Sequence, residues 1–101
     1  MKRPMSAKTK LAAKSIGENI ATWRRLYSLT SQELADKANV SRATISRLEN
    51  GDPSVSLETF LNACRALQTL NAVVEATDPY QTDLGRARAD QAIPQRVRSR
   101  Q

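Results

Sequence analysis

Apolar residues in this chain recur at helical spacings, in short blocks set apart by capping and turn residues. The most regular block is LTSQELADKANVSRATISRLENG, residues 29–51. Leu29 and Leu34 bracket a Thr30–Glu33 pair spaced as a capping box, with the two leucines as its hydrophobic staple. Leu34, Ala35 and Ala38 then form the inward stripe of one short helix. Asn39 follows where the chain must leave that helix, and Asn tolerates the left-handed conformation such exits need. The pattern repeats at once: Val40, a cap at Ser41, a helix over Arg42 to Asn50 with Ile45 and Leu48 inward, and a stop at Gly51. Its outward positions are Arg42, Ala43, Ser46 and Arg47, short or basic as a surface entering a DNA groove requires. Thr44 reads as half-buried support.

Upstream, Ser15 with Glu18 is a second capping box and predicts the start of the first helix. Ile16, Ile20, Trp23 and Tyr27 fall on one face with Leu26 beside them, so Trp23 is expected in the core. Downstream, Asp52 to Ser56 is a loop and Ser56 caps a fourth helix, with Val55 and Phe60 as a third staple. Leu57, Phe60, Leu61, Cys64 and Leu67 make its apolar stripe, in which Cys64 is a small buried hydrophobe. Thr69 to Ala76 predicts a fifth helix, while the Val73–Val74 pair leaves a strand open. Five such helices amount to roughly 60 residues, a size whose single core is marginal. Leu70, Val73 and Val74 in segment 69–76 therefore look for a partner surface, and a symmetric homodimer supplies it most simply.

The two ends differ in character from this middle, which gives a division at 1–14, 15–77 and 78–101. Residues 1–14 carry Lys2, Arg3, Lys8, Lys10 and Lys14 and no acid. They read either as a solvated tail or as a flexible basic arm adding phosphate contacts. Asp78–Pro79 closes the ordered pattern, and the tail from Tyr80 holds five Arg and two Asp. Disorder is one reading of it. A short amphipathic helix formed on a partner through Leu84, Ala87 and Ile93 is the other.

Composition narrows the function. The chain has 101 residues, enough for one domain, and a formal charge of +6 that favours a polyanionic partner. Aromatics make up 4%, too few for a base-stacking single-strand or RNA surface. One cysteine and no histidine rule out an intrachain disulfide, a zinc site and His-based acid–base chemistry. Three scattered glycines build no phosphate loop, and Asp36, Glu49, Asp52 and Glu58 sit where capping or solvent explains them. No apolar run suits a membrane span or a secretory leader. A cytoplasmic, nucleoid-associated protein without cofactor or enzymatic activity is expected.

The run TSQELADKANVSRATISRLENG resembles the helix-turn-helix of the lambda-repressor-like (Cro/C1, Xre-type) family, and the likeness extends from about Ile16 to Leu67. Asn39 stands where that family usually has Gly, and Ser31 where it usually has a phosphate-gripping Gln. The resemblance implies an all-α, dimeric fold of four or five short helices that binds an inverted repeat in double-stranded DNA. Base readers would then be Ser41, Arg42, Ala43, Ser46 and Arg47, with Arg42 and Arg47 as guanine readers. Backbone-positioning residues would be Thr30, Ser31, Gln32, Asn50 and Arg24, the last paired with Glu49. The tail TDLGRARADQAIPQRVR is similar to the C-terminal segment of HipB-like antitoxins, the regulators that accompany HipA-like kinase toxins. That likeness implies a type II toxin–antitoxin role, with Leu84, Arg86, Arg88, Ile93, Arg96 and Arg98 on the toxin. A stand-alone Xre-type regulator without a toxin partner is the alternative.

Overall fold

The computed structural model describes the backbone of residues 3–100 and the side chains of residues 3–91. Every regular element among them is helical: α1 (Ala7–Leu26), α2 (Ser31–Ala38), α3 (Arg42–Glu49), α4 (Leu57–Ala66), α5 (Leu70–Ala76), a 3-10 turn (Pro79–Gln81) and α6 (Asp83–Arg100). The all-α expectation holds, and residues 70–76 are helix, not strand. The chain divides into two compact units, Met1–Leu70 and Asn71–Gln101.

Helix starts in the first unit follow the side-chain caps. The Thr30 hydroxyl accepts from the Glu33 amide at 3.0 Å, and the Glu33 carboxylate accepts from the Thr30 amide at 2.8 Å. Ser41 and Ser56 cap α3 and α4 in the same way, through Thr44 and Thr59. Helix ends share one device. Ser28, Asn39, Gly51 and Gln68 each take a positive φ, between 57° and 78°. Each is followed by an amide that bonds back five residues: Leu29 to Arg24, Val40 to Ala35, Asp52 to Arg47, Thr69 to Cys64. Asn39 and Gly51 are legible as such exits from residue type. Ser28 and Gln68 are not, since neither residue type favours the left-handed conformation.

The core lies where α2 meets α3 and α4. Leu34, Ile45 and Leu67 are fully buried at its centre, with Ile20, Ala35, Ala38, Leu48 and Ala63 around them. Leu29, Val40, Val55 and Phe60 close its margin, as the staples require. Cys64 is buried, and burial pushes its thiol pKa up, as befits a hydrophobe.

Three expectations about packing change. Trp23, expected in the core, is 42% exposed and stacks on Tyr27 at 5.9 Å, while Ile16 and Leu26 also face outward. The buried face of α1 is instead Gly17, Ile20 and Ala21. At position 17 the approach to α3 is close: a Cβ there would lie 2.6 Å from the Leu48 and Glu49 carbonyl oxygens, so only glycine fits without a shift. Leu57 is likewise exposed at the first turn of α4. Finally, α1 starts at Ala7 and not at Ser15. Ser6 caps it through Thr9 at 3.1 Å, and residues 7–14 are mostly strong helix formers. Basic residues 8, 10 and 14 thus stand on a helix, with the Lys14 backbone against Gly51, where no Cβ fits.

In the second unit, Asp78–Pro79 does not end the order. Asp78 caps the 3-10 turn through Tyr80 at 2.9 Å, and Pro79 occupies its first position. The Thr82 hydroxyl then accepts from Gly85 at 3.0 Å at the start of α6. Arg86 fastens this corner by donating to the Tyr80 carbonyl and pairing with Asp83. Leu84 and the two arginines 86 and 88 are exposed, whereas the side chains of Ile93, Arg96 and Arg98 lie outside the described residues.

Gly17→Ala tests the α1–α3 crossing. In an open helix this change stabilises by about 0.5–1 kcal/mol. Here it should destabilise by about 1–3 kcal/mol, because backbone carbonyls must move. Thermal unfolding followed by circular dichroism reads the sign.

Candidate nucleic-acid interface

The second helix of the α2–turn–α3 unit turns one side entirely to solvent. Ile45 and Leu48 point into the core, so Arg42, Ala43, Ser46 and Arg47 project outward. Ser31, at the first turn of α2, shares a shallow concave surface with Arg42, Ala43 and Ser46. Helix–turn–helix folding therefore brings together four of the residues read from sequence. Small Ala43 and Ser46 leave this surface open, and Arg42 is its charged arm.

The other assigned residues are bound into the scaffold to different degrees. The Ser41 hydroxyl accepts from the Thr44 amide at 3.1 Å and shares a 2.8 Å hydrogen bond with the Thr44 hydroxyl. The Thr30 hydroxyl is occupied by its capping box, and hydrogen bonds from Thr30 hold the Glu33 carboxyl below the usual carboxylate range. Gln32 donates to Asp36 at 2.9 Å, one turn along α2. Asn50 is exposed just past the end of α3.

Arg24 is the most committed. Its Nε donates to Glu49 Oε2 at 2.7 Å, Nη2 to Oε1 at 3.2 Å, and Nη1 to the Leu29 carbonyl at 3.0 Å. The pair is 13% and 12% exposed, and the carboxylate partner pushes the guanidinium pKa up. Arg24 is a brace, as the resemblance implies. Three of its five donors are used and its side chain is largely shielded, so it offers little to a phosphate.

Arg47 is held at the surface. Its Nε donates to Asp52 Oδ2 and its Nη2 to the Ser54 hydroxyl, both at 3.0 Å. Hydrogen bonds from Ser54 and Arg47 bring the Asp52 pKa down to about 2, so the carboxylate is ionised at every physiological pH.

Two groups of basic residues lie beside this face: Arg25, to which the sequence reading gives no role, and Arg3 with Lys10, which belong to its basic arm. Arg25 shares a polar depression with Thr22 and Asn50, next to the end of α3. Arg3 and Lys10 line a groove with Pro53 and Ser54, in the loop after α3. What the sequence reading of that arm missed is its helical form, for which the run of helix formers after Ser6 was the signal. Among the described residues no cluster of His, Cys, Asp and Glu suits a metal ion, and no helix is long and apolar enough to cross a membrane.

Residues 20–70 match the family described as helix-turn-helix. The chain is also 42% identical over 50 residues to the antitoxin PezA of Streptococcus pneumoniae, a stretch covering 50% of this chain and 32% of that protein. It thus spans about a third of that curated relative's length. With half of its residues inside the matched region, this chain belongs to the helix-turn-helix family of lambda-repressor-like (Xre) type.

Proposed function

We propose that the protein binds double-stranded DNA sequence-specifically, represses its own operon, and is the antitoxin of a type II toxin–antitoxin system with a HipA-like kinase. The observation that carries the DNA reading is the outward face of α3. It is free of apolar bulk, bears Arg42 and Arg47, and adjoins Ser31 at the positive end of α2. In this reading α3 lies in the major groove with Arg42 and Arg47 at guanine edges, Ala43 at a thymine methyl, and Ser41 and Ser46 as adaptable neighbours. Thr30, Ser31, Gln32 and Asn50 meet the phosphates, Arg24 acts through its brace, and the basic start of α1 adds backbone contacts.

Homodimerisation belongs to the same proposal, because an inverted repeat needs two copies. No residue of α5 is buried, and Val74 is 59% exposed, so Leu70, Val73 and Val74 form an apolar strip suited to a self-complementary seam. Support for the antitoxin role is the similarity to PezA, and support for the kinase class is the HipB-like tail. Leu84, Arg86 and Arg88 are exposed there, as a partner surface requires. Residues 93, 96 and 98 extend the same proposed contact.

Arg42→Ala should cost about 1–3 kcal/mol in operator binding and relax preference at one base pair per half-site. A matched titration on operator and random DNA measures it. Equal losses on both would make Arg42 a phosphate contact.

Val73→Asp should yield a monomer by light scattering and weaken full-operator binding far more than half-site binding. A charge in an apolar seam is desolvated without a partner. A variant that stays dimeric moves the seam elsewhere.

Truncation after Pro79 should leave the dimer intact and abolish capture of the kinase encoded beside the gene. Its operator affinity should fall only by general electrostatics, most visibly at low salt. Undiminished capture of the kinase would assign that contact to the helical core, and if no such kinase neighbours the gene the stand-alone regulator is correct.

A further inference from the structure

Arg47 sits in the last turn of α3 and is not a free side chain. Four hydrogen bonds make a closed cluster with the loop that follows. Nε donates to Asp52 Oδ2 at 3.0 Å, and Nη2 donates to the Ser54 hydroxyl at 3.0 Å. That hydroxyl passes its own hydrogen to Asp52 Oδ1 at 2.7 Å, and the Ser54 amide donates to the same oxygen at 2.9 Å. Both acceptors of Arg47 belong to one bonded unit, so they lie along the inner, Nε–Nη2 edge of the guanidinium. The distal edge, formed by Nη1 and the second hydrogen of Nη2, meets no acceptor among the described residues.

Stability does not account for the cluster. Arg47 and Asp52 are 50% and 34% exposed, and ion pairs this wet contribute little to folding. Geometry suggests a different benefit. A long side chain that reads a base must first give up its rotamer freedom, and a guanidinium fixed in advance avoids that loss at the moment of binding. The backbone that carries the clamp is itself fixed. Asp52 donates its amide to the Arg47 carbonyl at 3.0 Å, and Gly51 is pressed against α1.

We propose that Asp52 and Ser54 are positioning residues for sequence reading, which hold Arg47 by its inner edge and present its distal edge to the O6 and N7 atoms of a guanine. The proposal rests on the DNA-binding reading above and names a specificity determinant outside the recognition helix. Asp52 does not touch the base. Its negative charge near the phosphates opposes binding to all DNA alike, so its benefit appears as discrimination and not as affinity.

The experiment compares Asp52→Asn, Ser54→Ala, Arg47→Ala and the Asp52→Asn/Arg47→Ala double variant with wild type. Each is titrated against a library of operators carrying single base-pair changes. Arg47→Ala identifies the base pair that depends on Arg47. At that pair Asp52→Asn should lower discrimination about two- to tenfold, the range expected for one newly mobile side chain. Discrimination at the pair that depends on Arg42 should stay as in wild type, and binding to random DNA should strengthen. In the double variant the effect of Asp52→Asn on discrimination should vanish. Ser54→Ala keeps the charge and should give a smaller loss at the same pair, which separates positioning from electrostatics and serves if Asp52→Asn folds poorly. Unchanged or increased discrimination in both clamp variants overturns the proposal, an increase meaning that the clamp holds Arg47 away from DNA. It is also overturned if Arg47→Ala changes no base preference while Arg42→Ala does, although DNA reading then stands. A wild-type protein without any base preference would refute the proposed function itself.

Discussion

The ion pair between Arg24 and Glu49 is the interaction on which the rest of the first unit depends. It joins the last turn of α1 to the last residue of α3, and its third hydrogen bond holds the Leu29 carbonyl at the entry to α2. One guanidinium thereby fixes the relative placement of three helices. Because the pair is largely shielded, neither partner can be lost without stranding a charge in a poorly solvated place. The small face of α1, Gly17 and Ala21, permits the approach that brings the two groups within reach.

Beside that brace, the polar side chains around the outward face of α3 divide by task. Thr30, Ser41 and Ser56 have their hydroxyls occupied at helix starts, where backbone amides would otherwise lack partners. These bonds set where α2, α3 and α4 begin. Arg42, Ala43 and Ser46 are left to face outward from a backbone that is already fixed. Arg47 is intermediate, with one edge of its fork fixed and one edge open. In the proposed reading such a surface is preorganised, which lowers the ordering entropy lost on binding.

Much of this is legible in the order of residues. The Thr30–Glu33 box, the exits at Asn39 and Gly51, the caps at Ser41 and Ser56, and the stripe of Leu34, Ala35, Ala38, Ile45 and Leu48 all follow from local rules. Capping and left-handed exits involve neighbours within a few residues, and helical periodicity is a property of one segment. The outward set of α3 follows from its inward set by subtraction. The partnership of Arg24 with Glu49 came from resemblance, since nothing local joins residues 25 apart.

What only the tertiary structure decided concerns how helices approach one another. Apolar spacing places Trp23 in the core, yet α1 buries Gly17, Ile20 and Ala21 instead, with Gly17 pressed against the carbonyls at the end of α3. Ser15 has the spacing of a cap but lies mid-helix, because Ser6 offers an earlier cap and the intervening residues propagate helix readily. Pro79 looked like an end and proved to be the first position of a turn that leads into α6. The clamp on Arg47 needs the loop to return beside the helix it has just left. Periodicity and capping are written in the chain because they are short-ranged; the distance between two helices depends on every side chain between them, and only the folded molecule fixes it.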